Sequence, residues 1–182
     1  ALFKKCGYAT DFRILNASDY GVLQNRKRII LIGFHGEKAD FYPQIPVVKD
    51  AHKVGELFCD LPSIKAGEGV ITPVKTTHYT GKYLFSARIK EYDEEPVTFH
   101  QARPNTAQDL EIYRIVVDTW NRSKTRVSYT DLPERLRTHN NTKSFLDRFK
   151  VVAGNLPYAQ TVVAHISRDG HYFIHPDIKQ NR

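Results

Sequence analysis

The chain has 182 residues, of which 41% are hydrophobic and 26% charged, an ordinary globular composition with enough length for one domain with its own core. It contains no apolar run that could span a membrane and no secretory signal at its start. The two cysteines, Cys6 and Cys59, form neither a disulfide framework nor a metal-ligand spacing. We therefore expect a protein of a reducing, cytoplasmic compartment with no membrane partner.

The positive charge, a formal net +7, is unevenly distributed along the chain. Residues 122–150 hold eight basic and three acidic side chains, whereas residues 41–100 hold seven basic and eight acidic ones. This balance favours a polyanionic partner, but a solvated basic face gives the same pattern, so charge alone supports both equally. The chain also begins with alanine and has no methionine, from which we expect a piece of a longer protein.

The first predicted elements are two strands. Residues 12–16 favour a short strand, and residues 29–34 predict a buried one, because that run is short, β-branched and broken by glycine near its end. The turn-rich residues 16–21 follow the first strand, so we expect an antiparallel pair. A pair of this size is not stable alone, and it predicts a sheet that is completed elsewhere.

Helices are predicted after a linker at 35–50. Residues 51–60 favour a helix, and residues 63–95 carry no clear pattern. The clearest helix begins near Asn105, which forms a capping-box pattern with Gln108. Its apolar residues at helical spacing are predicted to face the core: Leu110, Tyr113, Val117 and Trp120.

Shorter elements are predicted beyond this helix. Residues 131–134 and the segment from Ser144 each show a helix-start pattern. Near the end, residues 161–166 alternate like a strand, and Asp169-Gly170 predicts a hairpin turn into residues 171–175.

The pattern with most chemical content is Gln24-Asn25-Arg26-Lys27-Arg28, which leads directly into the predicted strand at 29–34. Side chains alternate in an extended chain, so Gln24, Arg26 and Arg28 are expected on one face. Two guanidinium forks on one side suit phosphate oxygens and a carbonyl acceptor. Taken alone, the pattern is more typical of a solvated basic strand end.

The surrounding sequence adds a family resemblance. Residues 8–34, with Asp19-Tyr20-Gly21 before the motif and an apolar run with glycine after it, resemble the Gln-x-Arg-x-Arg region of DNA (cytosine-5) methyltransferases. Residues 160–177 resemble the end of the target-recognition domain in bacterial members. His100-Gln101-Ala102-Arg103, with residues 109–113, resembles a branch of the same family. The resemblance is weak at 35–95.

The resemblance implies an α+β fold class: an antiparallel strand pair from the edge of a methyltransferase Rossmann-like sheet, followed by a mixed α/β target-recognition domain. Residues 1–36 would be the C-terminal strands of the catalytic sheet, 37–50 a linker, 51–178 the target-recognition domain, and 179–182 the truncated start of the return to the catalytic domain. The family's Pro-Cys nucleophile loop, Glu-Asn-Val motif and Gly-rich donor site are not in the sequence. Cys6 has no preceding proline, so the fragment alone is predicted to be inactive.

The resemblance also implies catalytic roles for the motif. The family flips the target cytosine out of the duplex, and negative charge builds on the base after a thiolate attacks it. Arg28 is implied to stabilise that charge at the base carbonyl. Arg26 is implied to hold the phosphate beside the flipped nucleotide, and Gln24 to brace the loop.

DNA-binding roles are implied nearer the end of the chain. Thr161 matches a family threonine that lies near the flipped base and its phosphate. Arg148 and Lys150 precede it, where base-reading side chains are expected, with a phosphate contact or no contact as the alternatives. No metal site is expected from the three histidines of this region, since no cysteine joins them. They are His165, His171 and His175.

These features together predict the target-recognition fragment of a bacterial DNA (cytosine-5) methyltransferase from a restriction-modification system. It would read a specific sequence of double-stranded DNA and stabilise the flipped cytosine. The intact enzyme would use S-adenosyl-L-methionine, with none bound by this fragment, and the second partner would be the missing N-terminal catalytic domain of the same enzyme. The alternatives are a stand-alone nucleic-acid-binding module, with short helices around 139–142 like a helix-turn-helix, and a scaffold fragment without DNA contacts.

Overall fold

The computed structural model describes residues 2–36, 40–48, 52–144, 146–161 and 173–182. It is a small α+β protein that divides into two compact units. The first unit is Ala1–His52 with Pro157–Thr161, and the second is Lys53–Leu156 with Val162–Arg182. The helices are Leu2–Lys5 (α1), Tyr83–Ser86 (α2) and Ala107–Ser123 (α3). The strands are Tyr8–Asn16 (β1), Gln24–Asn25 (β2), Lys27–His35 (β3), Gly69–Val70 (β4), His100–Gln101 (β5), Lys150–Val151 (β6), Ala159–Gln160 (β7) and Phe173–Ile174 (β8).

The first unit is built on the antiparallel pair of β1 and β3. Ile14 lies opposite Ile29, and Leu15 lies opposite Arg28. The predicted strand pair is thus confirmed, and each strand is longer than predicted. The sequence pattern marked only the apolar centre, whereas the ladder also includes polar residues such as Thr10, which pairs with Gly33.

The prediction that residues 29–34 form a buried strand is wrong for the described residues. Ile29 is 65% exposed and Leu31 50%, and on the partner strand Phe12 and Ile14 are 55% and 64% exposed. Successive side chains point to opposite faces, so an apolar run needs a covering layer on both faces to be buried. No other described element covers this pair in that way.

The core of the second unit forms around α3. Tyr113 and Val117 are buried, and Leu110 and Trp120 pack against the same cluster, as the helical spacing predicted. The cluster also takes in side chains from the irregular segment that follows α3 and from the two short strands β6 and β8. These added core residues are Val127, Tyr129, Leu132, Leu136, Phe149, Val151, Ala153 and Ile174.

The N-terminus of α3 is capped one residue later than predicted. Thr106 is the N-cap, and its side chain accepts a hydrogen bond from the backbone N–H of Asp109, while Asp109 bonds back to the Thr106 N–H. Asn105 instead donates to the Tyr113 hydroxyl, at 3.1 Å. Both Asn and Thr cap helices well, so the sequence alone did not separate these adjacent candidates.

Thr106→Ala is expected to destabilise the second unit by about 1 kcal/mol, because the N–H of Asp109 loses its acceptor. Urea denaturation of the variant beside Thr106→Ser, which keeps the hydroxyl, measures the effect. Equal midpoints for the alanine and serine variants would show that the cap adds nothing to stability.

Three predicted helices are shorter than expected or absent. In the described part of the range 51–60, residues 52–60, only a single 3-10 helical segment forms, Val54–Leu57, and Val54 and Gly55 donate their backbone N–H groups to the carbonyls of Leu156 and Gly154. In the range 125–150 the 3-10 turns Tyr129–Asp131 and Glu134–Leu136 replace the predicted helices. Ser144 and Leu146 are not helical, and Phe145 lies outside the described residues. Among the described residues of this range, no helix-turn-helix is formed.

The strand predictions near the end of the chain are mostly untested. Residues 162–172, including the Asp169-Gly170 turn, lie outside the described residues. What the structure shows there is β8, which pairs in parallel with β6 through Lys150 opposite Phe173.

A buried ion pair lies between the short elements at 54–100 of the second unit. Lys90 Nζ donates to Asp60 Oδ2 at 2.5 Å and to Thr76 Oγ1 at 2.9 Å. The side chains of Lys90 and Asp60 are only 7% and 3% exposed. Within the described residues, no helix is both long and apolar enough to cross a membrane.

Candidate functional site

The Gln24–Arg28 segment of the first unit is held by a short strand from far along the chain. In a parallel pairing, Gln24 lies opposite Ala159 and Asn25 opposite Gln160. The backbone N–H of Ala159 also donates to the Leu23 carbonyl, at 3.0 Å. Residues 159–161, which include the start of the second region of family resemblance, are therefore adjacent to the Gln24–Arg28 segment within this unit.

Thr161 fixes this junction with its side chain. Its Oγ1 donates to the backbone carbonyl of Asn25, at 2.7 Å. Asn25 lies between Gln24, the predicted structural brace, and Arg26, a predicted catalytic residue, so the structure brings Thr161 to the centre of the motif. The spacing of 136 residues gave no indication of this hydrogen bond.

The two arginines of the motif occupy different backbone environments. Arg26 lies between β2 and β3, is half-buried, and its carbonyl accepts the Ala17 N–H at 3.0 Å. Arg28 lies in β3 and is exposed, with Nη1 on the Lys27 carbonyl at 2.7 Å. The strand is interrupted at Arg26, so the alternation of side-chain direction that holds within a strand does not extend across the motif. That Gln24, Arg26 and Arg28 share one face therefore stays a prediction.

The predicted DNA-binding residues Arg148 and Lys150 belong to the second unit. The Arg148 guanidinium lies over the Tyr129 ring, 4.5 Å from its centroid, and donates to the Asn141 carbonyl at 3.3 Å. Lys150, in β6, is partly exposed and pairs with Asp147 at 3.8 Å. Both side chains therefore have contacts within the protein, which the sequence pattern did not reveal.

Four of the eight basic side chains at 122–150 have an acidic neighbour among the described residues. Arg122 pairs with Asp118, Arg135 pairs with Glu111, and Asp147 lies beside both Arg126 and Lys150. Exposed pairs of this kind contribute little to stability. Within the described ranges, Lys124, Arg137 and Lys143 have no ion pair.

Burial shifts the pKa values of Cys59 and His175. Burial raises the pKa of Cys59, and the Asp60 carboxylate adds to this, whereas reactive thiolates need a lowered pKa. Burial is the main cause that lowers the pKa of His175, and the positive charge of Arg182 adds to the effect. The His175 ring packs against the Phe58 ring. In the part of the chain that the structure describes, no cluster of three or more His, Cys, Asp or Glu side chains could hold a metal ion.

Comparison with known proteins identifies the family of this chain. The family model described as C-5 cytosine-specific DNA methylase matches residues 1–167. The chain therefore belongs to the C-5 cytosine-specific DNA methylase family, a family of DNA methyltransferases.

Individual relatives agree with this assignment. The Type II methyltransferase M.Bpa9945I of Bacillus paralicheniformis is 38% identical over 180 residues, covering 93% of this chain and 39% of the relative. M.BsuRI of Bacillus subtilis is 29% identical over 65% of this chain and 28% of its own length. M.MthTI of Methanothermobacter thermautotrophicus is 28% identical over 53% and 32%. The chain thus spans well under half the length of these relatives, and no solved structure matches it.

Proposed function

We propose that this chain is the C-terminal portion of a bacterial DNA (cytosine-5) methyltransferase and contains its Gln-x-Arg-x-Arg motif and target-recognition domain. The observation that carries the proposal is the bond from Thr161 to Asn25, which joins the start of the 160–177 region of family resemblance to the Gln-x-Arg-x-Arg motif. The Type II designation of the relatives supports a place in a restriction-modification system, in the cytoplasm.

The exposed β1–β3 pair supports a proposal for which part of the enzyme each segment of this chain forms. The apolar side chains of β1 and β3 need a covering layer, and the N-terminal catalytic domain of the same enzyme is the proposed partner that provides it. Residues 1–36 would then complete the catalytic sheet, and residues 37–50 would link them to the target-recognition domain. That domain, residues 51–178, would read double-stranded DNA. Residues 179–182 would begin the return to the catalytic domain.

The motif residues have distinct proposed roles in the chemistry. A cytosine must leave the base stack before its ring can react. Arg28, exposed and with its guanidinium near the strand surface, stabilises negative charge at the base carbonyl oxygen. Arg26 holds the neighbouring phosphate, because a guanidinium fork matches phosphate oxygens. Gln24, fixed opposite Ala159, braces the segment.

Thr161 is proposed to keep this segment in its reactive conformation. In the full-length enzyme, Thr161→Val removes the hydroxyl that donates to the Asn25 carbonyl. Losing one hydrogen bond of about 1 kcal/mol corresponds to a roughly fivefold lower kcat/KM for methylation. Thr161→Ser keeps the donor and serves as the matched control. Unchanged kinetics in the valine variant would remove this role from Thr161.

The methyl donor of the family, S-adenosylmethionine, supplies an activated methyl group. Among the described residues, the glycine-rich turn at Gly67–Gly69 does not fit this donor, because the chain's own backbone fills the space. A Cβ on Gly69 would lie 2.2 Å from the His100 carbonyl oxygen. We propose that the N-terminal catalytic domain binds the donor and that this fragment does not.

The proposed function is tested by product analysis. The full-length protein is incubated with unmethylated duplex DNA and methyl-labelled S-adenosylmethionine, and the DNA is digested to nucleosides for mass spectrometry. Label in 5-methylcytosine is expected. Label in another nucleoside, or no transfer at all, would overturn the proposal.

A further inference from the structure

The segment Arg137–Ser144 of the second unit, named here the 137–144 loop, is exposed and yet held in a defined conformation. The backbone N–H of His139 donates to the Tyr129 hydroxyl at 2.6 Å. Asn141 Oδ1 accepts the backbone N–H groups of Lys143 at 3.1 Å and Ser144 at 3.0 Å. Tyr129 itself is buried in the core, so the loop is attached directly to it.

Arg148 adds a second attachment at the same place. Its guanidinium lies on the Tyr129 ring and reaches the Asn141 carbonyl at 3.3 Å and His139 Nδ1 at 3.4 Å. A planar guanidinium that stacks on an aromatic ring and donates to fixed acceptors holds both in place. The half-buried Arg148 therefore acts on the loop from its inner side.

The outer side of the loop has the chemistry of a nucleic-acid contact. It contains no acidic residue, and its two cations, Arg137 and Lys143, have no ion pair within the described ranges. Between them Asn140 is exposed, and its amide makes no hydrogen bond with any described residue. Lysine and arginine contact phosphates, whereas an asparagine amide can pair with the N6 and N7 positions of adenine in the major groove.

From this arrangement we infer that the 137–144 loop is a base-reading element, in which Asn140 contacts a base edge and Arg148 is a positioning residue. Arg137 and Lys143 hold the flanking phosphates. The inference rests on the proposed function, since it names the part of the chain that determines which duplex sequence is methylated. A loop that is already ordered loses little conformational entropy on binding, which favours a specific contact.

The first test replaces Asn140 by alanine in the full-length enzyme. Parent and variant methylate an unmethylated plasmid with many sequence contexts, and bisulfite sequencing gives the preference at every position around each modified cytosine. Asn140→Ala is expected to relax one position by roughly 5- to 150-fold, the range for losing one good base contact. Asn121→Ala, an exposed asparagine at the end of α3, is the matched control with unchanged preference.

The second test separates positioning from simple stability. Tyr129→Phe keeps the buried ring and removes only the hydroxyl that accepts from His139, and Arg148→Ala removes the inner attachment. Both are expected to relax the same position as Asn140→Ala. Arg122→Ala, which also removes one positive charge but lies on α3, is expected to leave the preference unchanged.

The outcomes distinguish this inference from the proposed function. If the parent methylates a defined sequence and Asn140→Ala leaves the preference unchanged, or lowers all contexts uniformly, base reading by the loop is overturned while the function stands. If Arg148→Ala or Tyr129→Phe relaxes a different position, the positioning role is overturned. If the parent places no methyl groups on cytosine, the proposed function itself fails.

Discussion

Arg28→Ala in the full-length enzyme is expected to lower the single-turnover rate of methylation by about a hundredfold, the scale of losing one charge-stabilising donor. The reason is that Arg28 is proposed to meet negative charge that develops only as the base reacts. DNA affinity is expected to change much less, because the interaction is weak before that charge appears.

Lys27→Ala is the matched control for this prediction. Lys27 is the exposed neighbour of Arg28 in β3 and lies opposite Asn16, while Arg28 lies opposite Leu15. Both variants lose one positive charge at nearly the same place. A similar loss of rate in both would assign the effect to general electrostatic attraction of DNA and would remove the catalytic role from Arg28.

Asp60→Ala is expected to reduce the stability of the second unit by about 3–5 kcal/mol, because Lys90 is left as a buried charge without its counter-ion. The pair is almost wholly excluded from solvent, and among the described residues Thr76 is the one further side-chain partner of Lys90 Nζ. Hydrogen exchange of the peptides around Thr76 and Lys90, measured in the full-length protein, reports the loss locally.

Two companion variants make this result interpretable. The double replacement of Asp60 by leucine and Lys90 by methionine removes both charges and is expected to recover most of the stability. Asp118→Ala breaks an exposed pair with Arg122 and is expected to cost less than about 1 kcal/mol. If Asp60→Ala were no more costly than Asp118→Ala, the buried pair would not be a source of stability.

The sequence predicted those parts of the fold that depend on local periodicity. The predictions of the β1–β3 pair and of the core face of α3 were both correct, because strand alternation and helical spacing depend only on residues that are near one another in the sequence. The predicted burial of the strand at 29–34 was wrong for the described residues, because burial of a strand depends on which other elements cover its two faces. In the described part of 51–60 the predicted helix does not form, and Val54 and Gly55 pair through their backbones with a distant segment instead.

The site was predictable only through its motif. The composition of Gln24–Arg28 indicated anion or carbonyl recognition, and the family resemblance narrowed this to a flipped base. Neither indicated that Thr161 donates to the Asn25 carbonyl, nor that Arg148 lies on Tyr129. Both contacts join segments that are distant in sequence or irregular in structure, and the spacing of residues along the chain does not predict such contacts.

The central claim is that this chain works in cytosine-5 methylation at a defined duplex sequence, and base-resolution mapping tests it most directly. Unmethylated genomic DNA is treated with the full-length enzyme and S-adenosylmethionine, and every 5-methylcytosine is located by sequencing. We predict 5-methylcytosine at a fixed position within one recurring sequence. Methylation scattered without a shared sequence, or an absence of 5-methylcytosine from DNA treated with folded enzyme, would contradict it.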